Sequence, residues 1–521
     1  MNIYDVSSTS RGRARVRVQL VYCIDISLGA AVALFAGAHG QTCNSDQYGH
    51  DTTATDLAPL LSPTARIYMR SMTNSTQFEE MTIRYSRTSV PDISAFISVG
   101  TPEDVGVIIR YANSHSRQIL AGNRRHAWSR TLARTRNAIM IDISTLKNIT
   151  VDTEANTVTV GGGVSVGDVM PALQAVGKET TTGTCNCVGF LGASLGGGHG
   201  RLQGRHGLMA DNILSVRLTT ATGKVITVSD TSHPELFWAL RGAGHNFGII
   251  TEATYKIYDA ANGGMQYTTN KVYDTVHMTE MFEAMNNFKV PADYSALLNV
   301  LMDTNSSTPR MVLNFVSSEP EATAKAQFAS AFGHIPYISA IEAVLPWASV
   351  NGRGLTGTGD FACGNRARKR IAGVATTRYN TTAILEVFEK YKKFAARPGA
   401  GAARMIFESY SVKGVQKVDP DSTAYPWRAE TGVVLMNAGY TDDARADEAE
   451  DWLFEAMAIM HASSGFPRPA LYMNYASGTE GFGAMYGYDE WRQEKLKKLK
   501  KEWDPHCVFS WFNPIPIDCQ R

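Results

Sequence analysis

The chain has 521 residues, more than one ordinary hydrophobic core accommodates, which favours two domains. Apolar residues make up 44% of it and charged residues 19%, values typical of globular proteins and unlike those of disordered or fibrous chains. Lys and Arg number 50 against 49 Asp and Glu, so the net charge of +1 indicates no basic surface for nucleic acid or an anionic membrane. The composition therefore favours a small molecule as partner.

The N-terminus has the pattern of a secretory signal peptide. A basic stretch from Arg11 to Arg17 precedes an apolar run from Ile26 to Ala36, which is too short to span a bilayer. Small residues then allow cleavage before Gln41, so residues 1–40 are predicted to be removed and the protein to be secreted. The alternative is a disordered N-terminus without a targeting role. Secretion agrees with the glycosylation motifs at Asn74, Asn148, Asn305 and Asn380.

Of the seven cysteines, six remain after removal of the signal peptide, which contains Cys23. Their pairing cannot be deduced from the sequence. Cys185 and Cys187 are separated by one residue, which is too close for an easy mutual disulfide and suggests another role.

The first half of the chain alternates predicted strands and helices. A strand over 95–99 is followed by a helix from Thr101 to Ala112, with threonine as N-cap and proline at the first helical position. Further strands are predicted at 139–143, 157–160 and 225–228, punctuated by glycine clusters. This pattern predicts a mixed α+β domain that ends near Ala260.

The stretch from about Gly264 to Gly465 differs, since its glycines are less clustered and its helical patterns are longer. Helices are predicted at 279–288, 319–332 and 382–394, with strands at 296–302 and 311–316 between them. After this second domain, the tail carries a basic helix from Trp491 to Lys501, whose lysines are expected to form a solvated face.

Four segments concentrate glycine with residues that can carry chemistry: 120–128, 183–200, 207–212 and 236–251. Their many unobstructed backbone N–H groups suit a pyrophosphate. The spacing matches neither the six-residue dinucleotide fingerprint nor a P-loop, so tight turns in a β-rich domain explain the glycines equally well. A zinc site built from Cys185, Cys187, His199 and His206 is rejected, because this spacing fits no familiar zinc pattern.

In order and spacing, these segments resemble the FAD-binding domain of the berberine bridge enzyme-like family, within the vanillyl-alcohol oxidase superfamily. The resemblance covers about 96–256 and resumes at 472–475 and 500–509, with Leu236-Phe-Trp-Ala-Leu-Arg-Gly-Ala-Gly244 as its most specific part. It is strongest for fungal oxidoreductases of secondary metabolism.

The resemblance implies an α+β fold, with a PCMH-type FAD-binding domain of two α+β subdomains and a substrate domain whose antiparallel sheet is covered by helices. The expected boundaries are 41–260 for the FAD-binding domain (core about 90–260), 261–467 for the substrate domain, and 468–521 for a segment that returns to the FAD-binding domain.

His126 stands where the family carries the histidine that bonds to the flavin 8α-methyl, so the resemblance implies a covalent histidyl-FAD. The usual motif has a glycine before this histidine, whereas this chain has Arg125. That substitution makes the local backbone conformation an open question, although an arginine here could pair with phosphate. The residues expected around FAD are Asn123, Arg124, Arg125, His126, Gly183, Thr184, Cys185, Val188, Gly189, Gly192, Gly196, Gly197, Gly198, His199, Gly200, Asp211, Asn212, Gly248, Ile249 and Ile250.

Cys185 falls where bicovalent members of the family attach a second bond, from sulfur to flavin C6, and a thiolate is a competent nucleophile for that bond. Cys187 is the competing candidate by proximity, and a buried thiol or a disulfide half is the structural alternative. Val188 corresponds to the position beside the oxygen-reactive edge of the flavin, where a small branched residue accompanies oxidase behaviour.

Tyr475 resembles the tyrosine that acts as general base in the cannabinoid-forming members, and Tyr472 and Asn474 belong to the same segment. The pKa of a phenol, near 10, would have to be depressed for it to serve near neutral pH, and a covalent flavin with nearby cations is expected to assist. The alternative is a structural tyrosine packed on the flavin ring. The glutamate base of the plant alkaloid enzyme is replaced by Asn437, whose amide cannot accept a proton.

These features predict an FAD-linked oxidase that removes two electrons from a small secondary metabolite, with O2 as acceptor, H2O2 as product and cyclisation as one outcome. The rivals are a dehydrogenase with another acceptor, a non-redox cyclase that binds FAD, and a non-catalytic binding protein on a degenerate flavin scaffold. No metal, nucleic acid or membrane span is expected.

Overall fold

The structure of the chain is a computed structural model that describes residues 51–303, 306–353, 363 and 367–520. The predicted signal peptide and the glycosylation motif at Asn305 lie outside these residues. Within the described ranges, no helix has both the length and the apolar character that a membrane crossing requires.

A small mixed sheet forms around the helix predicted after Thr101. This helix spans Pro102–Ser114, and the Asp104 carboxylate accepts the Thr101 N–H at 2.9 Å, which caps its first turn. The helix buries Val105, Ile108 and Ile109 against the sheet. The strands of this first sheet are, in spatial order, Arg66–Met69, Ile93–Ser98, Ala138–Asp142 and Ile119–Gly122.

A second, antiparallel sheet follows in the chain. The helices Val166–Gln174, Phe190–Leu195 and Pro234–Ala243 pack on it, and their apolar side chains share one core with its strands. In spatial order the strands are Ile149–Asp152, Thr157–Gly161, Ile249–Lys256, Ile213–Thr219 and Val225–Ser229.

The largest sheet is antiparallel throughout and has helices on one face. Alternate side chains, such as Met405 and Phe407, point into the core beneath the helices, so Arg404, Glu408 and Tyr410 lie on the opposite face. The helices are Met278–Asn287, Glu321–Phe332, Thr381–Ala395 and Ala446–Ala462. In spatial order the strands are Ser339–Pro346, Met265–Asp274, Pro309–Ser317, Tyr294–Met302, Arg404–Tyr410, Gly432–Tyr440 and Arg368–Thr376.

These three sheets confirm the α+β class and the helix-covered antiparallel sheet. The smaller elements are the helices Thr53–Leu57, Ser75–Thr82, Gln203–His206, Val350–Arg353 and Phe482–Tyr486, and the paired strands Lys178–Glu179 and Tyr258–Asp259.

The C-terminal helix, Glu490–Trp503, packs Leu496 and Leu499 into the core of the second sheet. The expectation that its lysines form a solvated face is wrong for Lys500, which is fully buried. Its ammonium lies 2.6 Å from the Asp504 carboxylate and donates to the Asn246 carbonyl at 2.7 Å. Because an unpaired buried charge is costly, this pairing explains how a lysine is tolerated here.

Candidate active site

A cavity of about 340 Å³ is lined by residues of three of the four segments singled out in the sequence, 120–128, 183–200 and 236–251. No residue of the segment 207–212, which the structure describes in full, lines it. The predicted site residues that line the cavity are Asn123, Arg124, Arg125, His126, Gly183, Thr184, Cys185, Val188, Gly189, Gly192, His199, Gly248, Ile249, Ile250, Tyr472, Asn474 and Tyr475.

Arg125, which stands where the usual motif has a glycine, adopts a backbone conformation that suits glycine. Its φ is 56°, in the left-handed region that a glycine would adopt without strain, so the backbone keeps the conformation expected of the family motif. The guanidinium lies 3.3 Å from the buried carboxylate of Asp142. The side chain thus has a protein partner in addition to facing the cavity.

Hydrogen bonds and an ion pair hold the two residues that precede Arg125. The Asn123 amide donates to the carbonyl oxygens of Gly162 and Val164, at 3.0 and 3.1 Å. Arg124 lies 3.2 Å from the Asp168 carboxylate. These contacts fix the loop that presents His126 to the cavity.

His126 is stacked on Tyr85, with ring centroids 4.7 Å apart, and Tyr85 in turn carries the Lys369 ammonium 3.5 Å above its ring. Burial raises the pKa of Tyr85 to about 12. Burial and the nearby Arg404 lower the pKa of Lys369 to about 7. Sequence reasoning missed Tyr85 and Lys369, because neither stands in a motif.

The sulfur atoms near the cavity form a cluster. Cys187 and Cys363 are joined in a disulfide, and the Cys185 sulfur lies 3.4 Å from that of Cys187 and 3.8 Å from that of Cys363. Cys185 is the member that lines the cavity and is outside the disulfide. The arrangement therefore favours Cys185 over Cys187 for a bond to flavin. A second disulfide joins Cys507 and Cys519.

The rejected zinc grouping is dispersed in the structure. His206 contacts the Glu179 carboxylate at 2.9 Å, and His199 contacts that of Glu430 at 3.0 Å. The three clustered sulfurs are close enough to share a metal ion, but the disulfide leaves two of them without a thiolate.

Six residues predicted for cofactor binding, all in the described part of the chain, lie outside the cavity lining. Gly196, Gly197 and Gly198 instead allow close approach of Asn474, Tyr425 and Met209, since a Cβ at each would come within 2.2–2.7 Å of these side chains. Gly200 abuts the Thr182 carbonyl, Asp211 forms a buried ion pair with Arg428 at 2.7 Å, and the Asn212 amide donates to the Leu208 carbonyl at 2.8 Å. In this structure these six residues contact other protein groups and not the cavity.

Tyr475, which lines the cavity and is partly buried, forms a pair with the buried Glu408. The Tyr475 hydroxyl donates to the Glu408 carboxylate at 3.0 Å, although Glu408 belongs to the large sheet and Tyr475 to a 3-10 turn, Met473–Tyr475. The sequence could have suggested Glu408, since it is an acidic residue inside the apolar run of strand Arg404–Tyr410.

The protein groups around Tyr475 shift its pKa upward. Burial, and then the negative charge of Glu408, raise the pKa of Tyr475 well above its ordinary value. Burial also raises the pKa of Glu408, while hydrogen bonds and the nearby cations His199 and Arg201 partly oppose it. Tyr475 therefore accepts a proton only if it passes its own to Glu408.

Asn474 and Tyr472, from the same segment, orient Tyr475. The Asn474 amide donates to the Tyr472 hydroxyl at 2.6 Å, as does the Gly198 N–H at 3.2 Å. The Tyr472 ring packs edge-on against that of Tyr475, with centroids 4.9 Å apart. Asn437 lies on the neighbouring strand, buried and outside the cavity lining.

The wall of the cavity suits a ligand with several hydrogen-bonding groups, such as FAD. Several of its lining residues bury a polar side-chain atom that has no partner among the described residues, and each such atom costs about 1–3 kcal/mol unless a ligand satisfies it. These atoms are Arg84 Nε, Asn123 Oδ1, Arg124 Nε, Trp128 Nε1 and His245 Nδ1. Gly192 also faces the cavity with open space where a Cβ would stand.

The arginines indicate where the pyrophosphate would lie. Burial and the charge of Arg125 lower the pKa of Arg84 to about 10, and both side chains line the cavity. Two arginines in the wall of one cavity favour an anionic group there, in addition to the Asp142 carboxylate that pairs with Arg125.

Comparison with known proteins agrees with this geometry. Residues 93–229 match the family described as an FAD binding domain. The FAD-linked oxidoreductase anuG of Penicillium roqueforti is 35% identical over 472 residues, which cover 88% of this chain and 91% of that protein. The FAD-linked oxidoreductase srdI of Neurospora crassa is 32% identical over 93% of this chain and 97% of its own length.

Solved structures share the fold at low identity. Physcomitrella patens BBE-like 1 aligns with a TM-score of 0.78 at 22% identity, over 89% of this chain and 99% of that one. The glucooligosaccharide oxidase from Acremonium strictum, described with a 6-S-cysteinyl, 8α-N1-histidyl FAD, aligns with a TM-score of 0.76 at 19% identity, over the same shares of the two chains. Both likenesses show the PCMH-type FAD-binding fold.

Proposed function

Because this chain belongs to the berberine bridge enzyme-like FAD-linked oxidoreductases, we propose that it is an oxidase that removes two electrons from a small organic secondary metabolite, with O2 as final acceptor and H2O2 as product. The observation that carries the proposal is that His126 and the Tyr475–Glu408 pair line or border one cavity. The Trp128 ring connects the two sites, since its centroid lies 6.1 Å from that of Tyr85 and 5.7 Å from that of Tyr475.

FAD, when bound, supplies the two-electron acceptor. In the proposal His126 tethers it, with the imidazole held in place by its stack on Tyr85. Arg84 and Arg125 bind the pyrophosphate, and the Trp128 and His245 ring nitrogens and the Asn123 amide oxygen supply further hydrogen-bonding positions.

Cys185 provides the second attachment in the proposal. Cys185 lines the cavity. The two neighbouring sulfurs are joined in the Cys187–Cys363 disulfide, so neither offers a thiolate to the flavin. Val188, three residues further on, also lines the cavity and leaves room for O2 there.

The proton of the substrate is taken by Tyr475 and Glu408 together. The Tyr475 hydroxyl accepts a proton from a substrate O–H, N–H or acidic C–H, while its own proton moves along the existing hydrogen bond to Glu408. The carboxylate ends as a carboxylic acid, so no free phenolate forms in a buried site where its pKa is raised. Hydride leaves the substrate in the same oxidation.

A direct experiment tests the tether. Acid precipitation of the purified protein, followed by peptide mapping by mass spectrometry, is expected to give a yellow polypeptide with flavin on the peptide that contains His126. A colourless polypeptide contradicts covalent attachment, and native protein without bound flavin contradicts the redox function altogether.

Two further measurements separate the rival functions. Anaerobically reduced enzyme mixed with air-saturated buffer reoxidises rapidly if it is an oxidase and very slowly if it is a dehydrogenase. The product of an oxidase is lighter than its substrate by two hydrogens, whereas a non-redox cyclase leaves the mass unchanged.

We also propose that the protein is secreted. Two disulfides support this, because such bonds persist mainly in oxidising compartments. Expression of the full-length chain in a eukaryotic host is expected to give extracellular protein that begins at Gln41, and retention inside the cell with an intact N-terminus contradicts it.

A further inference from the structure

His199 lies in the cavity wall with hydrogen-bond acceptors on both sides of its ring. Nδ1 lies 2.9 Å from the side-chain oxygen of Gln203, and the Gly200 N–H, which can only donate, points at that same oxygen at 3.2 Å. The oxygen therefore accepts, so Nδ1 of His199 carries a proton.

The second ring nitrogen faces Tyr425 and Glu430. Nε2 lies 2.8 Å from the Tyr425 hydroxyl oxygen and 3.0 Å from the Glu430 carboxylate. Tyr425 donates its own proton to that same Glu430 oxygen, so its hydroxyl can only accept from His199. With acceptors at both nitrogens, His199 is an imidazolium, and the ion pair with Glu430 holds its charge in the buried site.

The loop that carries Tyr425 and Glu430 is anchored to the FAD-binding part of the chain. Both Arg428 guanidinium nitrogens donate to the Asp211 carboxylate, at 2.7 and 3.0 Å, and this ion pair is buried. Asp211, which sequence analysis predicted for the cofactor, thus holds the acid partner of His199 in place.

The His199 ring packs edge-on against Tyr472, with centroids 4.6 Å apart, and Tyr472 in turn packs against Tyr475, which donates to Glu408. His199 is among the charged groups that act on Glu408, together with Arg201, and its ring stacks parallel to that of Tyr410 at 6.3 Å. The residues beside Glu408 on the adjacent strands, Leu297 and Val433, are uncharged.

We propose that the buried Glu430–His199 pair is a positioning element that stabilises the Glu408 carboxylate, so that Tyr475 has a proton acceptor behind it. The inference rests on the proposed oxidase function only in that the Tyr475–Glu408 relay serves the oxidation. The effect of His199 on Glu408 itself does not require turnover. His199 acts through Glu408 and is a positioning residue.

The titration behaviour supports this arrangement. Burial lowers the pKa of His199, but the charge and hydrogen bond of Glu430, together with Gln203 and Glu408, raise it above its ordinary value. For Glu408, burial raises the pKa and His199 pulls it down, alongside Tyr475, Tyr410 and Arg201. Removal of the imidazolium therefore moves the Glu408 pKa further up, and its carboxylate is lost at a higher pH.

The test follows Glu408 itself in the flavin-loaded enzyme. Infrared difference spectra between pH values show the carbonyl stretch of a protonated carboxylic acid, and its absence in Glu408→Gln assigns the band. In His199→Gln the midpoint of this band is expected to rise by at least about one pH unit, a tenfold change in proton affinity. An unchanged midpoint overturns the proposal.

Two further variants distinguish the proposed effect on Glu408 from a folding defect. Glu430→Gln keeps the shape of the acid partner and is expected to shift the midpoint in the same direction, so it decides the matter if His199→Gln does not fold. His206→Gln removes a different buried histidine, paired with Glu179 away from the cavity, and is expected to leave the midpoint unchanged. An equal shift in His206→Gln means that any buried charge change suffices, which also overturns the proposal.

The outcome is separable from the fate of the oxidase function. The Glu408 midpoint is measured without substrate, so a shift in His199→Gln stands even if no metabolite is oxidised. Conversely, oxidase activity with an unshifted midpoint retains the function and removes this role of His199.

Discussion

The Arg125 guanidinium lies 3.3 Å from the Asp142 carboxylate, and Arg125 makes this contact from a backbone φ of 56°. A non-glycine residue in the left-handed region costs about 1–2 kcal/mol. Asp142 is buried, and burial raises its pKa. Loss of the Arg125 guanidinium would therefore leave a buried carboxylate without its ion pair, which destabilises the fold.

The two contributions of Arg125 can be separated by substitution. Arg125→Ala removes the ion pair and keeps the strain, whereas Arg125→Gly removes both, so the glycine variant is expected to be more stable than the alanine variant by about 1 kcal/mol. Urea unfolding of the flavin-loaded proteins measures the difference. Arg124 has no positive φ, so the same pair of substitutions there is expected to favour alanine. A more stable alanine variant at position 125 would contradict the assigned strain.

The flavin tether is expected to depend on His126 and Cys185 to different degrees. His126→Ala is predicted to lose the 8α bond, and His126→Ala combined with Cys185→Ser to release all flavin on acid precipitation. Cys185→Ser alone keeps flavin on the polypeptide through His126. Absorbance of the denatured, washed protein measures this, with Cys187→Ser as the control for disturbance of the neighbouring disulfide. Flavin retained by the double variant would rule out both attachment sites.

The proton relay predicts similar losses from Tyr475→Phe and Glu408→Gln. Each is expected to lower kcat by about a hundredfold to ten-thousandfold, because general base catalysis supplies about that much. The assay uses H2O2 release with a substrate found in a panel of small alcohols, phenols and amines. Tyr486→Phe, which alters a buried tyrosine bonded to the Asn513 carbonyl, is the matched control and is expected to keep full activity.

The same relay predicts an acid limb in the pH profile. Burial raises the pKa of Glu408, so its carboxylate is lost as the pH falls through that raised value, and kcat falls with it. Glu408→Gln is expected to abolish this limb in the residual activity. A limb that persists in Glu408→Gln would assign it to another group.

The disulfides give a prediction that needs no substrate. Peptide mapping without reduction is expected to show the Cys187–Cys363 and Cys507–Cys519 crosslinks and no crosslink to Cys185. In the chain-entropy account, replacing Cys187 and Cys363 by serine costs about 2 kcal/mol more than replacing the other pair, because the bond spans 176 residues instead of 12. A crosslink between Cys185 and Cys363 would contradict the pairing described.

Helices with local signals were predicted closely. The helix after Thr101 was expected from its cap and its proline, and the structure extends it to Ser114. The helices predicted at 279–288, 319–332 and 382–394 lie at Met278–Asn287, Glu321–Phe332 and Thr381–Ala395. Amphipathic spacing and caps act over neighbouring residues, so a sequence records them directly.

Burial was harder to predict than helix position. Lys500 stands in a run of lysines, and composition alone predicts that it faces solvent. The structure buries it because its helix rotates that position toward Asn246 and Asp504, which supply the acceptors.

By itself the sequence located glycine-rich segments with His126 and Cys185, and the short segment with Tyr475, that line the cavity, because their glycines and reactive residues follow one another along short stretches of chain. Only the tertiary structure decided what stands next to those residues. Glu408 meets Tyr475 across 67 positions, and Cys363 meets Cys187 across 176. Strand register and packing bring such partners together, and they also set the burial and the charges that act on the Tyr475 pKa. Neither the strand register and packing nor the resulting charges can be inferred from local sequence spacing.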